Sequence, residues 1–153
     1  MTGAVHIAAA AVIYKHGRFN RPCLLFLAFA SHFLLDATPH YELGVPANFL
    51  LGAGVLAMLF QQARRQKDWG MPAAGLLGEL PDANWLFDAG PVWHNIHSFF
   101  HFKNICPASW LCQPHKALLL AAAVYLVSQK TTPGPAGSRG NSGRRARSRI
   151  KPG

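Results

Sequence analysis

The sequence predicts an all-α protein: a compact bundle of four to five short, membrane-embedded helices followed by a disordered basic tail. Half of the 153 residues are hydrophobic and only 14% are charged, whereas soluble domains usually contain roughly 25% charged residues. The apolar stretches are rich in Ala and Leu, which favour helix over strand. Most are shorter than the roughly 20 residues that cross a bilayer, so an unusually apolar soluble helical domain is the alternative.

The apolar stretches alternate with connections of different charge. The stretches are Gly3–Tyr14, Pro22–Thr38, Ala47–Phe60, Met71–Phe87 and Lys116–Ser128. The connections at 15–21 and 61–68 are basic, whereas the connection at 40–46 has no Lys or Arg. If every stretch spans a membrane, the basic connections and the tail lie on the cytoplasmic side and the N-terminus lies outside, as the positive-inside rule expects.

The chain divides into a helical membrane domain, residues 1–129, and a basic tail, residues 130–153. The formal net charge is +9, and seven of the basic residues follow Gln129 with no acidic residue among them. The tail is rich in Pro, Gly, Ser and Arg, which predicts disorder. We expect it to stay solvated or to contact anionic lipid headgroups, at about 1 kcal/mol per basic residue. It has no interleaved aromatic residues, so no specific nucleic-acid partner is expected, and the sequence predicts no particular protein partner.

One segment places polar groups inside an apolar stretch. In Ser31-His32-Phe33-Leu34-Leu35-Asp36, the imidazole and the carboxylate are four residues apart and therefore share one helix face. A carboxylate in apolar surroundings is costly unless it is paired or binds a metal. We therefore predict that His32 and Asp36 are metal ligands. His40, just beyond Pro39, is a secondary candidate.

Two other clusters carry candidate ligands. Pro81 distorts or starts a helix and can aim the carboxylate of Asp82 away from it, although Asp82 could instead cap the following helix. His94, His97 and His101 are spaced by three and four residues, so they share a helix face. A shared metal would hold these imidazoles neutral. The alternative is an interfacial helix with solvated histidines, and Trp93 in this segment is expected at a membrane interface.

These short blocks resemble the membrane-bound metal-dependent hydrolases, a family of LexA-binding, inner-membrane-associated proteins. The matching pieces are an early His6, the block at 31–36, Leu80-Pro81-Asp82 and His97-Ser98. In the larger family members the Pro-Asp block comes first, and a second Asp stands where this chain has Asn84, so the chain resembles a short, divergent member. The resemblance implies an integral protein of the bacterial inner membrane.

The predicted ligands are mixed imidazoles and carboxylates, which suit zinc and also accept iron or manganese. The set is His6, His32, Asp36, Asp82, His97 and His101, with His40 and His94 as secondary candidates. Six ligands are too many for one tetrahedral zinc, so either two metals bind or some of these residues support the ligands. The predicted topology gathers nearly all of them at the outer face of the membrane.

The predicted function is metal-dependent hydrolysis of a phosphoester or another lipid-borne bond at the membrane surface. A bound metal would lower the pKa of water to near 7, and Asp36 or Glu79 would take its proton. The alternative is a non-catalytic membrane protein that binds or passes metal through the same residues, or uses them as a polar network that fixes helix packing. A weaker alternative is an adaptor whose tail recruits a partner.

Overall fold

A computed structural model of the chain describes residues 2–38, 43–83, 90–100 and 109–129. Within these ranges the chain forms six α-helices and one short 3-10 helix, without any strand. The α-helices are α1 (Gly3–His16), α2 (Arg21–Asp36), α3 (Val45–Gln66), α4 (Gly70–Glu79), α5 (Pro91–Phe100) and α6 (Ser109–Ser128), and the 3-10 helix is Leu80–Ala83. The all-α prediction is confirmed. The predicted count of four to five was too low, because α5 forms within a segment predicted to be a connection.

The ends of α2 and α3 follow from local sequence. The Asn20 side chain accepts a hydrogen bond from the backbone N–H of Cys23 at 3.0 Å, and Pro22 occupies the first turn of α2, where a missing N–H costs nothing. At the end of α3, Lys67 adopts a left-handed conformation with φ 54°, which stops the helix. Both helices therefore have defined boundaries.

The fourth apolar stretch, Met71–Phe87, does not form one continuous helix. α4 ends at Glu79, and the chain continues as the 3-10 helix Leu80–Ala83. Pro81 has no backbone N–H and cannot extend the hydrogen-bond ladder of α4. Asp82 therefore lies in the 3-10 helix and outside the α-helical register of α4.

Helix α1 is the centre of the bundle and packs against α2, α3, α4 and α6. Four of its alanines, Ala4, Ala8, Ala10 and Ala11, are fully buried. Their small side chains let neighbouring helices approach closely. Helix α4 contributes glycines to the same interface, so α1 and α4 meet almost backbone to backbone.

Two hydrogen bonds set the relative directions of α1 and α3. At the start of α1, the N–H of Gly3 donates to Oδ1 of Asn48 at 3.1 Å, in the first turn of α3. At the other end, the hydroxyl of Tyr14 donates to Oδ1 of Asp68 at 3.3 Å, just beyond α3. The two helices therefore run in the same direction, and the bundle has two distinct ends.

The end of the bundle at which α1 finishes is basic. Lys15 donates to the backbone carbonyls of Val127 and Gln129, which brings the end of α6 to this side as well. The basic residues here lie in the last turns of α1 and α3, in the segments that follow them and at the first position of α2: Lys15, Arg18, Arg21, Arg64, Arg65 and Lys67. We call this side the basic end.

Among the described helices, α3 is the one long and apolar enough to cross a membrane by length and composition. A shorter apolar helical segment, Ala117–Ser128, lies within α6. The prediction that all five apolar stretches are embedded stays a prediction. The predicted disordered tail, residues 130–153, lies outside the described residues.

Candidate metal centre

Four predicted ligands from three parts of the chain meet at the end of the bundle opposite the basic end. His32 and Asp36 come from the last turns of α2, Asp82 from the 3-10 helix and His97 from α5. One ligand atom from each lies within 4.8 Å of the others, so the group could hold a metal ion. The side chains of His32 and Asp36 are wholly buried, whereas those of Asp82 and His97 are 23% and 18% exposed. We call these residues the four-residue centre.

The dimensions of the centre match a metal-binding group. Five distances between ligand atoms of different residues, involving His32, Asp36, Asp82 and His97, lie between 3.0 and 3.5 Å. In a tetrahedral zinc site with bonds of about 2.0–2.2 Å, neighbouring ligand atoms lie about 3.3–3.6 Å apart. These five pairs of ligand atoms therefore have nearly the spacing of a tetrahedral zinc site, and the Asp36–Asp82 pair lies within 4.8 Å.

Each imidazole of the centre has more polar neighbours than it can donate hydrogen bonds to. Nε2 of His32 lies 3.0 Å from Oδ2 of Asp36, 3.5 Å from Oδ1 of Asp82 and 3.3 Å from Nε2 of His97. Nε2 of His97 in turn lies 3.4 Å from Asp36 and 3.2 Å from Asp82. Each imidazole nitrogen carries at most one proton. One cation at the common point would instead contact all four groups.

A hydrogen bond to the backbone of α4 fixes the orientation of the His32 ring. Its Nδ1 lies 2.8 Å from the backbone carbonyl oxygen of Gly78. A carbonyl oxygen only accepts, so Nδ1 carries a proton and donates it. In the neutral ring Nε2 then presents its lone pair to the centre, which is the arrangement that backbone carbonyls impose on metal-binding histidines. The role of Gly78 is not evident from the sequence, because a backbone acceptor leaves no side-chain signal.

The electrostatics of the centre favour bound cations. Burial tends to lower the pKa of His32, but hydrogen bonds to Asp36 and Asp82 outweigh it and raise the pKa to about 9. Hydrogen bonds to the same carboxylates raise the pKa of His97 to about 9. Burial opposes ionisation of both carboxyls, yet hydrogen bonds from His32 and His97 hold their pKa values well below the usual range. Two ionised carboxylates therefore face the centre across the whole physiological pH range.

His6 lies beside the four-residue centre. Its ring stacks on His32 with centroids 4.1 Å apart, and its Nε2 lies 3.2 Å from Oδ1 of Asp36. Burial lowers the pKa of His6 to about 4 despite the nearby Asp36, so the ring is neutral and this contact is not an ion pair. Neither ring nitrogen has a hydrogen bond of acceptable geometry among the described residues. His6 thus lies beside Oδ1 of Asp36, whereas Oδ2 of the same carboxylate faces the centre.

Aromatic contacts hold α5 against α2. Trp93 lies near both Phe29 and Phe33, with ring centroids 6.2 and 6.4 Å away, and its Nε1 donates to the Pro81 carbonyl at 3.4 Å. Trp93 is therefore half-buried against protein and positions His97, one turn further along α5. The sequence suggested a membrane-interface role for Trp93 and did not reveal this contact.

Of the remaining candidate ligands His40, His94 and His101, the structure describes His94, which does not join the centre. His94, on the same helix as His97, is exposed. Its helical spacing from His97 is as predicted, but only His97 reaches the centre. His40 and His101 lie outside the described residues.

Glu79 is a third carboxylate, near enough to the centre to be affected by the charges of Asp82 and His32. It directly follows Gly78, and its carboxylate lies against the backbone of Gly3 at the start of α1. Its Oε2 is buried without a hydrogen-bond partner among the described residues. Burial, reinforced by the negative charge of Asp82, raises the pKa of Glu79 to about 7. Glu79 can therefore gain or lose a proton near neutral pH.

Comparisons of the chain with protein-family models, with curated proteins and with solved structures found no match. The function has to be inferred from the centre and its surroundings.

Proposed function

We propose that the chain is a membrane-bound, metal-dependent hydrolase whose metal is held by His32, Asp36, Asp82 and His97. One observation carries the proposal: the Gly78 carbonyl orients His32 so that its Nε2 faces two carboxylates and a second imidazole within 3.5 Å. Neutral imidazoles with carboxylates are typical ligands of zinc, and iron or manganese accept the same donors. Zinc is the metal that we propose.

The two sides of the centre differ in a way that suits catalysis. A structural zinc site is closed by its protein ligands, whereas a catalytic one keeps a position for water. His32 and Asp36 form the buried wall, and the partly exposed Asp82 and His97 form the side that solvent reaches. A zinc ion held here would bind water on that side if it took a fifth ligand, as zinc allows.

In the proposed reaction, Glu79 and Asp36 have different roles. A metal held by these residues would lower the pKa of a bound water to near 7 and polarise a carbonyl or phosphoryl group. Glu79 would then be the proton acceptor, because its pKa of about 7 suits proton exchange at neutral pH. Asp36, the other predicted base, already lies close to three imidazoles and instead holds the centre together.

A membrane location is supported by α3 and by the charge distribution. Only 17% of the most apolar window of α3 is buried in the bundle, unlike the core helix of a soluble protein. The basic end is opposite the four-residue centre, and basic ends usually face the cytoplasm. We therefore place the centre at the outer face of the bacterial inner membrane and the tail in the cytoplasm. A phosphoester or another lipid-borne bond is the substrate that this location favours.

Metal analysis of the purified full-length protein tests the proposal. Wild-type protein should bind zinc, and both His32→Ala and Asp36→Ala should lose it. His16→Ala is the matched control, because this imidazole lies near the basic end, where Nε2 is 3.0 Å from the Leu126 carbonyl oxygen. Unchanged zinc content in both centre variants would refute this metal site, and wild-type protein that binds no zinc would favour a polar packing network.

Hydrolysis is tested separately from metal binding. Zinc-loaded protein in phospholipid vesicles is assayed with a fluorogenic phosphodiester and a fluorogenic acyl ester. Turnover that disappears in His32→Ala supports the hydrolase. Tight zinc binding without turnover of either class would favour the non-catalytic metal-binding alternative.

A further inference from the structure

Helix α5 has an uncovered apolar stripe. Trp93 and His97 face α2 and the centre, whereas Val92, Ile96 and Phe99 are 71%, 42% and 74% exposed. Their spacing of four and three residues places these three side chains along one face of the helix. Helix α5 has no buried residue. The stripe is therefore a surface on which something other than the described bundle can pack.

The stripe lacks charge and continues onto α2. Helix α5 contains no Asp, Glu, Lys or Arg. The ring centroid of Phe100, the last residue of α5, lies 5.1 Å from that of Phe33 on α2. Leu34, which follows Phe33, is 72% exposed. The apolar surface thus extends from α5 to the part of α2 that carries the centre. A surface of this kind is costly in water.

We propose that the stripe Val92, Ile96 and Phe99 lies in the apolar edge of a lipid bilayer, so that α5 is an interfacial helix. The opposite face of α5, with His94 and Ser98, is polar and exposed, as expected of a helix that lies along a membrane surface. A lipid surface is favoured over a second copy of the chain because the neighbouring α3, long enough to span a membrane, also leaves most of its apolar surface uncovered.

This placement has a consequence for the substrate. His97 lies one residue from Ile96, so the same short helix would hold a metal ligand and a lipid contact. The four-residue centre would then lie at the depth of the lipid headgroups, where a bond in a lipid headgroup can reach it without leaving the bilayer. The inference rests on the proposed membrane placement of the bundle and not on hydrolysis.

Site-directed spin labelling tests the orientation of α5. Single cysteines are introduced as Ile96→Cys, Phe99→Cys, His94→Cys and Leu50→Cys into full-length protein whose native cysteines are replaced by serine. Each variant is labelled with a nitroxide in phosphatidylcholine–phosphatidylglycerol vesicles. Collision rates are measured with oxygen, which concentrates in the lipid, and with a water-soluble nickel complex. Val92→Cys is a second stripe position should either stripe variant fold poorly.

The expected result is a higher oxygen-to-nickel collision ratio at 96 and 99 than at 94. Equal ratios at 94, 96 and 99 would overturn the inference, as would protection of 96 and 99 from both reagents, which indicates a protein partner or second copy. Leu50, an exposed residue of α3, distinguishes the membrane contact of α5 from the membrane placement of the whole bundle. Oxygen access at 50 with nickel access at 96 and 99 refutes only the role of α5, whereas nickel access at all three removes the membrane placement itself.

Discussion

Gly78 of α4 lies directly against the backbone of α1 at His6. A Cβ atom at Gly78 would lie 3.0 Å from the carbonyl oxygen of His6 and 2.5 Å from Cβ of Ala10. Gly78 also supplies the carbonyl that accepts the proton of His32 Nδ1. The close approach of two helices therefore sets the position of the acceptor that orients a metal ligand, which couples helix packing to the centre.

Gly78→Ala should damage both stability and metal binding. Because the added methyl cannot be accommodated without moving α4 away from α1, we expect a loss of about 1–3 kcal/mol in the free energy of unfolding. Displacement of the acceptor should also weaken zinc affinity about 10–100-fold, as loss of a residue that orients a ligand does. Chemical denaturation without zinc and competition titration with a chelator measure the two effects.

Gly54→Ala is the matched control for this change. Gly54 lies within α3, and a Cβ there would meet nothing within 4 Å. Replacing an exposed helical glycine by alanine should stabilise the protein by about 0.5–1 kcal/mol and leave zinc affinity unchanged. A Gly78→Ala protein with the stability and zinc affinity of wild type would contradict the coupling.

His97 and His94 provide a matched pair on one helix. His97→Ala removes a ligand atom of the four-residue centre, whereas His94→Ala changes only an exposed imidazole one turn away. Structural zinc sites have binding free energies of about 10–16 kcal/mol for four ligands, so losing one ligand should weaken affinity by on the order of 100-fold. Zinc titration against a fluorescent chelator measures this. Equal losses in both variants would show that α5 does not present His97 selectively.

The sequence was sufficient to predict the helical class and the separate blocks of the centre. The spacing of His32 and Asp36 indicated a shared helix face, and Pro81 indicated the break before Asp82. Both predictions depended on periodicity or on backbone chemistry, which are local. The convergence of these blocks was only a hypothesis, because it depends on how the helices pack.

The features that the sequence did not reveal are long-range or involve the backbone. The Gly78 carbonyl is chemically identical to every other carbonyl, so its role in orienting His32 depends on the packing of α4. Trp93 has the composition of a membrane-interface residue, and only the position of α2 shows that it packs on Phe33. The neutral state of His6 likewise follows from complete burial, which periodicity did not predict.

The stability of zinc-free protein should depend on pH in a defined way. Folding raises the pKa of His32 from 6.5 to about 9, so the folded state binds this proton more tightly than the unfolded state. The contribution of His32 to stability is therefore full below pH 6.5 and is lost as the pH rises through about 9. The lowered pKa values of Asp36 and Asp82 act in the opposite sense, because their contribution is present above pH 3.8 and is lost on acidification.

Bound zinc should prevent the loss of stability that zinc-free protein shows at alkaline pH. Metal and protons compete for the imidazoles, so binding at pH 7.5 should release about two protons, from His32 and His97. Calorimetry in buffers of different ionisation enthalpy counts them, and denaturation with zinc or with a chelator gives the two stability profiles. Release of no protons, or the same alkaline loss of stability with and without zinc, would contradict metal binding at these imidazoles.

Glu79→Gln should separate proton transfer from metal binding. Glutamine keeps nearly the same shape but cannot accept the proton of the attacking water, so turnover should fall by about 10²–10⁴-fold while zinc content stays that of wild type. The acidic limb of the pH–rate profile should also change, since Glu79 has a pKa of about 7. Asp68→Asn is the control, because this acid lies at the basic end beside Tyr14. Loss of zinc from Glu79→Gln would instead make Glu79 a ligand, and full turnover would remove it from the mechanism.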